Sequence, residues 1–183
     1  MTEFVPSGVI EKAFLNDMIY VACPRCFTSV NGQLACNAGT DLRVQCASCQ
    51  TFMTPKQVLY KYRLKLQLLY ESTVADAMLF DEVAEALLGV SAMTMKNDLL
   101  LKYPDLHLVL KELLVGLHVS FSFQRPLPKR NSKHAHLTRD LKITKIEPLV
   151  PQLLPEPAAT LAIKLLRQQQ EGKHLFLTHD RIC

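Results

Sequence analysis

Alternation of apolar and polar positions is the clearest local signal in this chain. Over 58–70, Tyr60, Tyr62, Leu64, Leu66 and Leu68 alternate with Lys61, Arg63, Lys65 and Gln67, the period of a strand with one buried and one basic face. Residues 4–22 alternate more loosely and end in Met18-Ile19-Tyr20-Val21-Ala22, a strand that runs straight into a cysteine pair. Glu71-Ser72-Thr73 suits a turn, and 73–80 reads as the returning strand. Asp81 is placed to cap a short helix over 82–88, which carries Val83, Ala86 and Leu87 on one side and stops at Gly89. Helical spacing continues over 91–103 and 105–115, split at Pro104. Strand alternation returns at 118–124, with Val119, Phe121 and Phe123 on one face, and again at 141–146. The sequence thus predicts a mainly β domain with helices covering one end.

Past the last strand the pattern changes. Pro148, Pro151, Pro155 and Pro157 mark a stiff linker over 149–156, and a helix is predicted over 157–171, ending before Gly172. On it, Ala158, Leu161, Ala162, Leu165 and Leu166 form one apolar stripe, while Lys164, Arg167 and Gln168 face elsewhere. The helix is expected to stand apart from the barrel and to bind a partner protein, the alternative being that it folds back on its own domain. Residues 172–183 read as a tail, and no internal repeat is evident.

Composition narrows the class. With 183 residues, 49% hydrophobic, the chain can build one core, assigned to 1–148. No run of about 18 apolar residues occurs, and no basic stretch precedes an apolar one at the N-terminus, so neither a membrane span nor secretion is expected. The balance of 21 Lys and Arg against 17 Asp and Glu permits phosphate contact without requiring it.

The chemistry-bearing motif is Cys23-Pro24-Arg25-Cys26 with Cys46-Ala47-Ser48-Cys49, a pair of C-x2-C knuckles with ribbon spacing, at about 22–54. Two such loops bring four thiolates around one tetrahedral ion, and one structural Zn2+ is expected. A filled thiolate shell leaves no open position for catalysis. Reduced, unliganded cysteines or a redox C-x-x-C are the competing readings, and neither accounts for two pairs. Cys36 is read as a spare thiol and Cys183 as outside the chemistry.

A strand entering C-x2-C, a ribbon, then Tyr60-Lys61-Tyr62-Arg63-Leu64 and Phe80-Asp81-Glu82-Val83-Ala84-Glu85-Ala86-Leu87-Leu88-Gly89 resembles the C-terminal DNA-binding domain of the replication protein A large subunit. The resemblance covers roughly residues 10–170. It implies a five-stranded OB-fold barrel with an inserted four-cysteine zinc ribbon, binding to single-stranded DNA, assembly with another OB-fold subunit through the C-terminal helix, and a nuclear location. The prolines near 150 and the tail past the helix depart from the family. They fit a divergent paralogue, such as the meiosis-specific OB-fold relative, as well as replication protein A itself.

An OB groove holds single strands with aromatic platforms and with cations that follow the phosphates. Lys61, Arg63 and Lys65 share the outward side of one strand, where a solvated face is the alternative reading. Arg125, Lys129, Arg130, Lys133 and Arg139, with His134 and His136, lie in or beside the loop between the last two strands. With no Trp and 7% aromatics, most Tyr and Phe are assigned to the core, Tyr60 and Tyr62 among them. A protein that has kept the architecture but not the DNA affinity, a pure assembly scaffold, remains the second reading. No Ser-His-Asp order, phosphate loop or open metal site can be assembled, so an enzyme is not expected.

Overall fold

The computed structural model describes residues 1–30, 43–125 and 140–179, with side chains through 169. Lys129, Arg130, Lys133, Arg139, His134, His136, Cys36 and Cys183 lie outside the described residues.

The period-two run forms strand β5 (Leu59–Tyr70), which buries Tyr62, Leu64, Leu66, Leu68 and Tyr70 and turns Lys61, Arg63, Lys65 and Gln67 to the other face. Around it run β1 (Thr2–Phe14), β2 (Ile19–Ala22), β3 (Val44–Gln45), β4 (Phe52–Met53), β6 (Thr73–Phe80), β7 (His118–Gln124) and β8 (Leu141–Pro148). β5 turns into β6 through Glu71 and Ser72, both at positive φ (47° and 62°), the two-residue geometry that matches the twist of a hairpin. β5 also pairs with the second half of β1 from Val9 to Phe14, while the first half of β1 pairs with β7. β8 lies between β7 and β6, antiparallel to the first and parallel to the second. The ring β1-β5-β6-β8-β7 therefore closes on itself with one parallel pairing, the five-stranded OB barrel. Closure leaves few sheet edges to be covered.

The expected strand over 4–22 is two strands, because β2 leaves the ring and pairs with Leu59–Tyr62 at the start of β5. That outrigger carries the ribbon. Between β6 and β7, α1 (Asp81–Leu88), α2 (Ala92–Thr94), a π-helical turn (Met95–Leu99), α3 (Leu100–Lys102) and α4 (Leu106–Leu114) close one end of the barrel. Leu88, Met95, Leu106, Leu110 and Leu114 join the same buried cluster as Leu64, Leu66, Phe121 and Phe123. Asp81 does not cap α1. It is the first helical residue, at φ 34°, and its carboxylate is taken by Lys61 across the barrel wall.

The last helix, α5 (Ala158–His179), departs from expectation in two ways. It runs through Gly172, since one glycine costs a helix roughly 1 kcal/mol without stopping it. It also does not stand apart: Ala158, Ala159, Ala162 and Leu166 are buried against the barrel's own helical end, on α4 and α1. A 3.6-residue apolar stripe states that one face is covered, not whose surface covers it. The segment before it makes a 3-10 turn (Pro151–Leu153) and buries Leu154, so it too is packed. No described helix is long and apolar enough to cross a membrane.

Gly89 ends α1 at φ 76°, donating its N–H to the Glu85 carbonyl. A Cβ there would fall 2.0 Å from Cβ of Pro157, so the glycine also admits the start of α5. Gly89→Ala is expected to lower unfolding free energy by about 2 kcal/mol or more, combining left-handed strain with a backbone shift, as urea denaturation would measure.

Candidate metal centre and nucleic-acid interface

The two cysteine knuckles are built on one plan. In the first, Cys23 N–H donates to the Thr28 carbonyl at 2.9 Å and Phe27 N–H to the Cys23 carbonyl at 3.0 Å. In the second, Cys46 N–H donates to Thr51 at 2.9 Å and Gln50 N–H to Cys46 at 2.8 Å. Phe27 and Gln50 occupy the left-handed region at the same φ, 59°. The second residue after each pair is a threonine whose hydroxyl meets sulfur: Cys26 Sγ lies 3.4 Å from Thr28 Oγ1, and Cys49 Sγ lies 3.3 Å from Thr51 Oγ1. The sequence thus does hold a short repeat, C-x2-C-x-T, and the two threonines are site residues that cysteine spacing alone missed.

The four sulfurs of Cys23, Cys26, Cys46 and Cys49 lie within 4.8 Å of one another. Cys23 to Cys49 is 3.6 Å and Cys26 to Cys46 is 3.5 Å. A tetrahedron with metal–sulfur bonds of about 2.3 Å has edges of about 3.8 Å, so the cluster is sized for one ion. The Thr28 hydroxyl, then its amide, hold the Cys26 thiol down to about 6. Thr51 lowers Cys49 in the same way. At Cys46 a Cys49 backbone N–H favours the thiolate, but burial and the neighbouring thiols outweigh it and push the group up to about 11. One knuckle thiolate in each half is therefore prepared by hydrogen bonds, and a cation is what would bring the rest to the ionised form. Beyond the cysteines the ribbon's buried cluster contains only Val30, Val44, Met53 and Val58 among the described residues.

The second feature is the outer face of β5. Each of its three cations lies on an aromatic ring supplied by a neighbouring element. Lys61 Nζ is 4.7 Å from the centre of Phe27 in the first knuckle, Arg63 is 5.9 Å from Tyr20 on β2, and Lys65 is 5.8 Å from Phe14 at the end of β1. Phe14 and Phe27 are about half exposed, and Phe80, opposite Arg63 on β6, is 38% exposed. Five of the eight phenylalanines, Phe4, Phe14, Phe27, Phe52 and Phe80, are surface residues, against the expectation that the aromatics are spent on the core. The face opens into a groove of about 790 Å³ between the β1–β2 turn and α4, where His107 and Lys111 join Arg63 and Lys65. No local pattern in the sequence marks those two residues; the barrel brings them there.

Two of the cations are already engaged. Lys61 pairs with Asp81, and Lys65 bonds Asp76 at 2.7 Å with Asp140 at 3.7 Å. The Lys65 bond, against a smaller burial cost, holds the Asp76 carboxyl below its usual range. Arg63 makes no ion pair with a described residue. Arg125 is placed elsewhere, donating to both carboxylate oxygens of Glu3 near the start of β1, at 2.9 and 3.4 Å. On α5, Ala158, Ala162 and Leu166 face the chain's own core, Leu161 is half-buried, and Leu165 is 36% exposed.

No family model matches the sequence, and no curated protein matches it. Among solved structures, a chain of a replication protein A heterotrimer bound to single-stranded DNA aligns over 92% of this chain with a TM-score of 0.59 at 14% identity. A chain of yeast replication protein A bound to single-stranded DNA aligns over 90% of this chain and 85% of its own length, with a TM-score of 0.54 at 21% identity. This chain spans 35% of the first of these, so it corresponds to a part of it. The likeness is one of fold, and it agrees with the OB barrel expected from the sequence.

In the metal-free protein, Thr28→Val should raise the Cys26 thiol toward the ordinary value of about 8.5. The pH midpoint of iodoacetamide alkylation at Cys26 should then move upward, and alkylation at neutral pH should slow by several-fold.

Proposed function

We propose that this chain is a single-stranded DNA-binding and assembly module, carried by a zinc-stabilised OB barrel and working in replication, repair or recombination in the nucleus. The observation that carries the proposal is the outer face of β5, where Phe27, Tyr20 and Phe14 are interleaved with Lys61, Arg63 and Lys65. Aromatic platforms beside backbone-tracking cations are what a single strand requires, because every base has a face to stack and every nucleotide a phosphate. The face lies on the second and third strands of the barrel, where OB folds receive oligonucleotides. The replication protein A chains of the same fold were solved bound to single-stranded DNA.

Zn2+ is the ion that suits four thiolates at tetrahedral spacing. Its role here is structural, since Cys23, Cys26, Cys46 and Cys49 would fill its shell and the ribbon core is too small to order itself. Zinc also reaches the DNA face, because Phe27 belongs to the first knuckle. Partner binding through α5 would use Leu161 and Leu165 rather than the whole stripe, the remainder being engaged within the chain.

The assembly-scaffold reading draws on one observation: Asp76, Asp81 and Asp140 occupy Lys61 and Lys65. Salt dependence separates the two. Labelled oligo-dT should bind with a shallow slope of log affinity against log salt, about −0.7, the value for one phosphate met by Arg63. Asp76→Asn, Asp81→Asn and Asp140→Asn together should steepen it toward about −2 as both lysines are released. Phe14→Ala and Phe27→Ala should each cost about 1–3 kcal/mol of affinity. Absence of binding at low salt, in the wild type and in the Asp→Asn variant alike, leaves the scaffold reading. Purified protein should hold one zinc per chain, and Cys46→Ser should lose both the zinc and the Phe27 contribution to binding while the barrel still melts cooperatively.

A further inference from the structure

β8 is only half covered on one edge. β6 pairs with Leu141, Lys142 and Ile143, then turns into α1 after Phe80, so among the described residues no strand lies on that side of 144–148. The space beside them is a groove of about 510 Å³. Its floor is Val83, Ala86, Leu87, Ile146 and Leu154, and its far wall is Pro155, Glu156 and Pro157. That wall is fixed in place, with Leu154 buried, Pro157 seated on Gly89, and Glu156 bonded to Lys164.

The wall cannot fill the edge itself. Pro151, Pro155 and Pro157 have no N–H to give to a ladder, and they lie in the segment that follows β8 directly. The groove's rim is acidic in a chain of net positive charge: Glu82, Glu147 and Glu156 line it, with Lys145 the single cation among the lining residues, although Glu147 already pairs with Lys145 and Glu156 with Lys164. Glu82 is exposed and has no ion pair among the described residues. Leu149, Val150 and Leu153 stand beside the groove with exposures of 40%, 42% and 57%, apolar surface that a partner could cover.

We propose that this groove binds an extended, basic segment of a partner protein, which adds to the open 144–148 edge of β8 as a further strand. Main-chain hydrogen bonds to the edge give such a segment affinity, and its period of two sends alternate side chains to different surroundings. One set meets the floor of Ala86, Leu87 and Ile146. The other set, lysine or arginine, meets Glu82, Glu147 and Glu156. Five edge residues accommodate a strand of about 16 Å at 3.3 Å per residue, so the recognised motif is short. The site lies on the β8 and α1 side of the barrel and uses none of the residues of the β5 face.

The test is an amide NMR titration of the full chain with a peptide of alternating lysine and valine, beside one of alternating glutamate and valine. Saturable shifts of the amides of Thr144, Lys145, Ile146 and Glu147, together with those of α1, are expected for the basic peptide alone. Glu82→Lys with Glu147→Lys, both at exposed positions, should weaken that binding by at least about tenfold. Oligo-dT affinity of the same variant should not change, which keeps this site's failure separate from that of the DNA-binding reading. The proposal is overturned by equal binding of the two peptides, by shifts confined to residues outside β8, α1 and 154–157, or by no shifts at millimolar peptide. Binding that appears only after residues 126–139 are deleted would give the groove to this chain's own basic loop and overturn it as well.

Discussion

The register of β5 is the constraint on which the rest of the molecule depends. Its buried side, Tyr62, Leu64, Leu66, Leu68 and Tyr70, is almost without solvent contact, and each such side chain is worth about 1.5–3 kcal/mol of transfer free energy. A slip of one residue would carry Lys61, Arg63, Lys65 and Gln67 into the core and expose the five apolar residues, so the alternative is excluded by a wide margin. Three other strands take their position from this one: β1 closes the ring on it, β6 returns along it, and β2 carries the ribbon from it. The cations thus have no freedom to be anywhere but outside. Core packing, not attraction to a ligand, puts them on one face.

The ribbon inverts that logic, because its order is local and ionic. Two non-glycine residues in the left-handed region, Phe27 and Gln50, are strained positions that the knuckle hydrogen bonds and the sulfur cluster have to hold. One of them, Phe27, belongs to both parts of the molecule. The turn that brings Cys23 and Cys26 together also points Phe27 across β2 to the Lys61 ammonium. Order at the metal centre and the shape of the β5 face are therefore linked through one side chain, and a domain that lost its ion would lose an aromatic platform without losing the barrel.

Much of this was legible before the coordinates. Alternation located β5 and both later strands, Gly89 ended its helix where a left-handed residue was needed, and the paired cysteines announced their cluster. What escaped were properties that only the third dimension decides. Phe14 looks like core in a loosely alternating segment. A bulge between Ile10 and Lys12 shifts the register, and Phe14 comes to the surface opposite Lys65. Asp81 looks like a cap because it precedes a helix, but the lysine on the neighbouring strand is a stronger partner for its charge. The α5 stripe was correctly read as apolar, yet nothing in a single sequence says whether Ala158, Ala162 and Leu166 cover their own barrel or another chain. Thr28 and Thr51 are legible in the sequence as the last position of the repeated C-x2-C-x-T.

The carboxylates on the β5 face bear on how any anionic ligand would be held there. Asp76, Asp81 and Asp140 give Lys61 and Lys65 the interactions a phosphate would otherwise supply, so a bound strand gains from those lysines only the difference between two similar ion pairs. Exposed pairs of this kind are worth little in water, and the exchange is close to balanced. Stacking is opposed more weakly, because Phe14 and Phe27 remain about half exposed beside the Lys65 and Lys61 ammonium groups that lie on them. On this face, then, the aromatic rings would provide the net affinity. The acids would keep the lysines extended and hold down the non-specific electrostatic attraction that a fully cationic groove would have toward any polyanion.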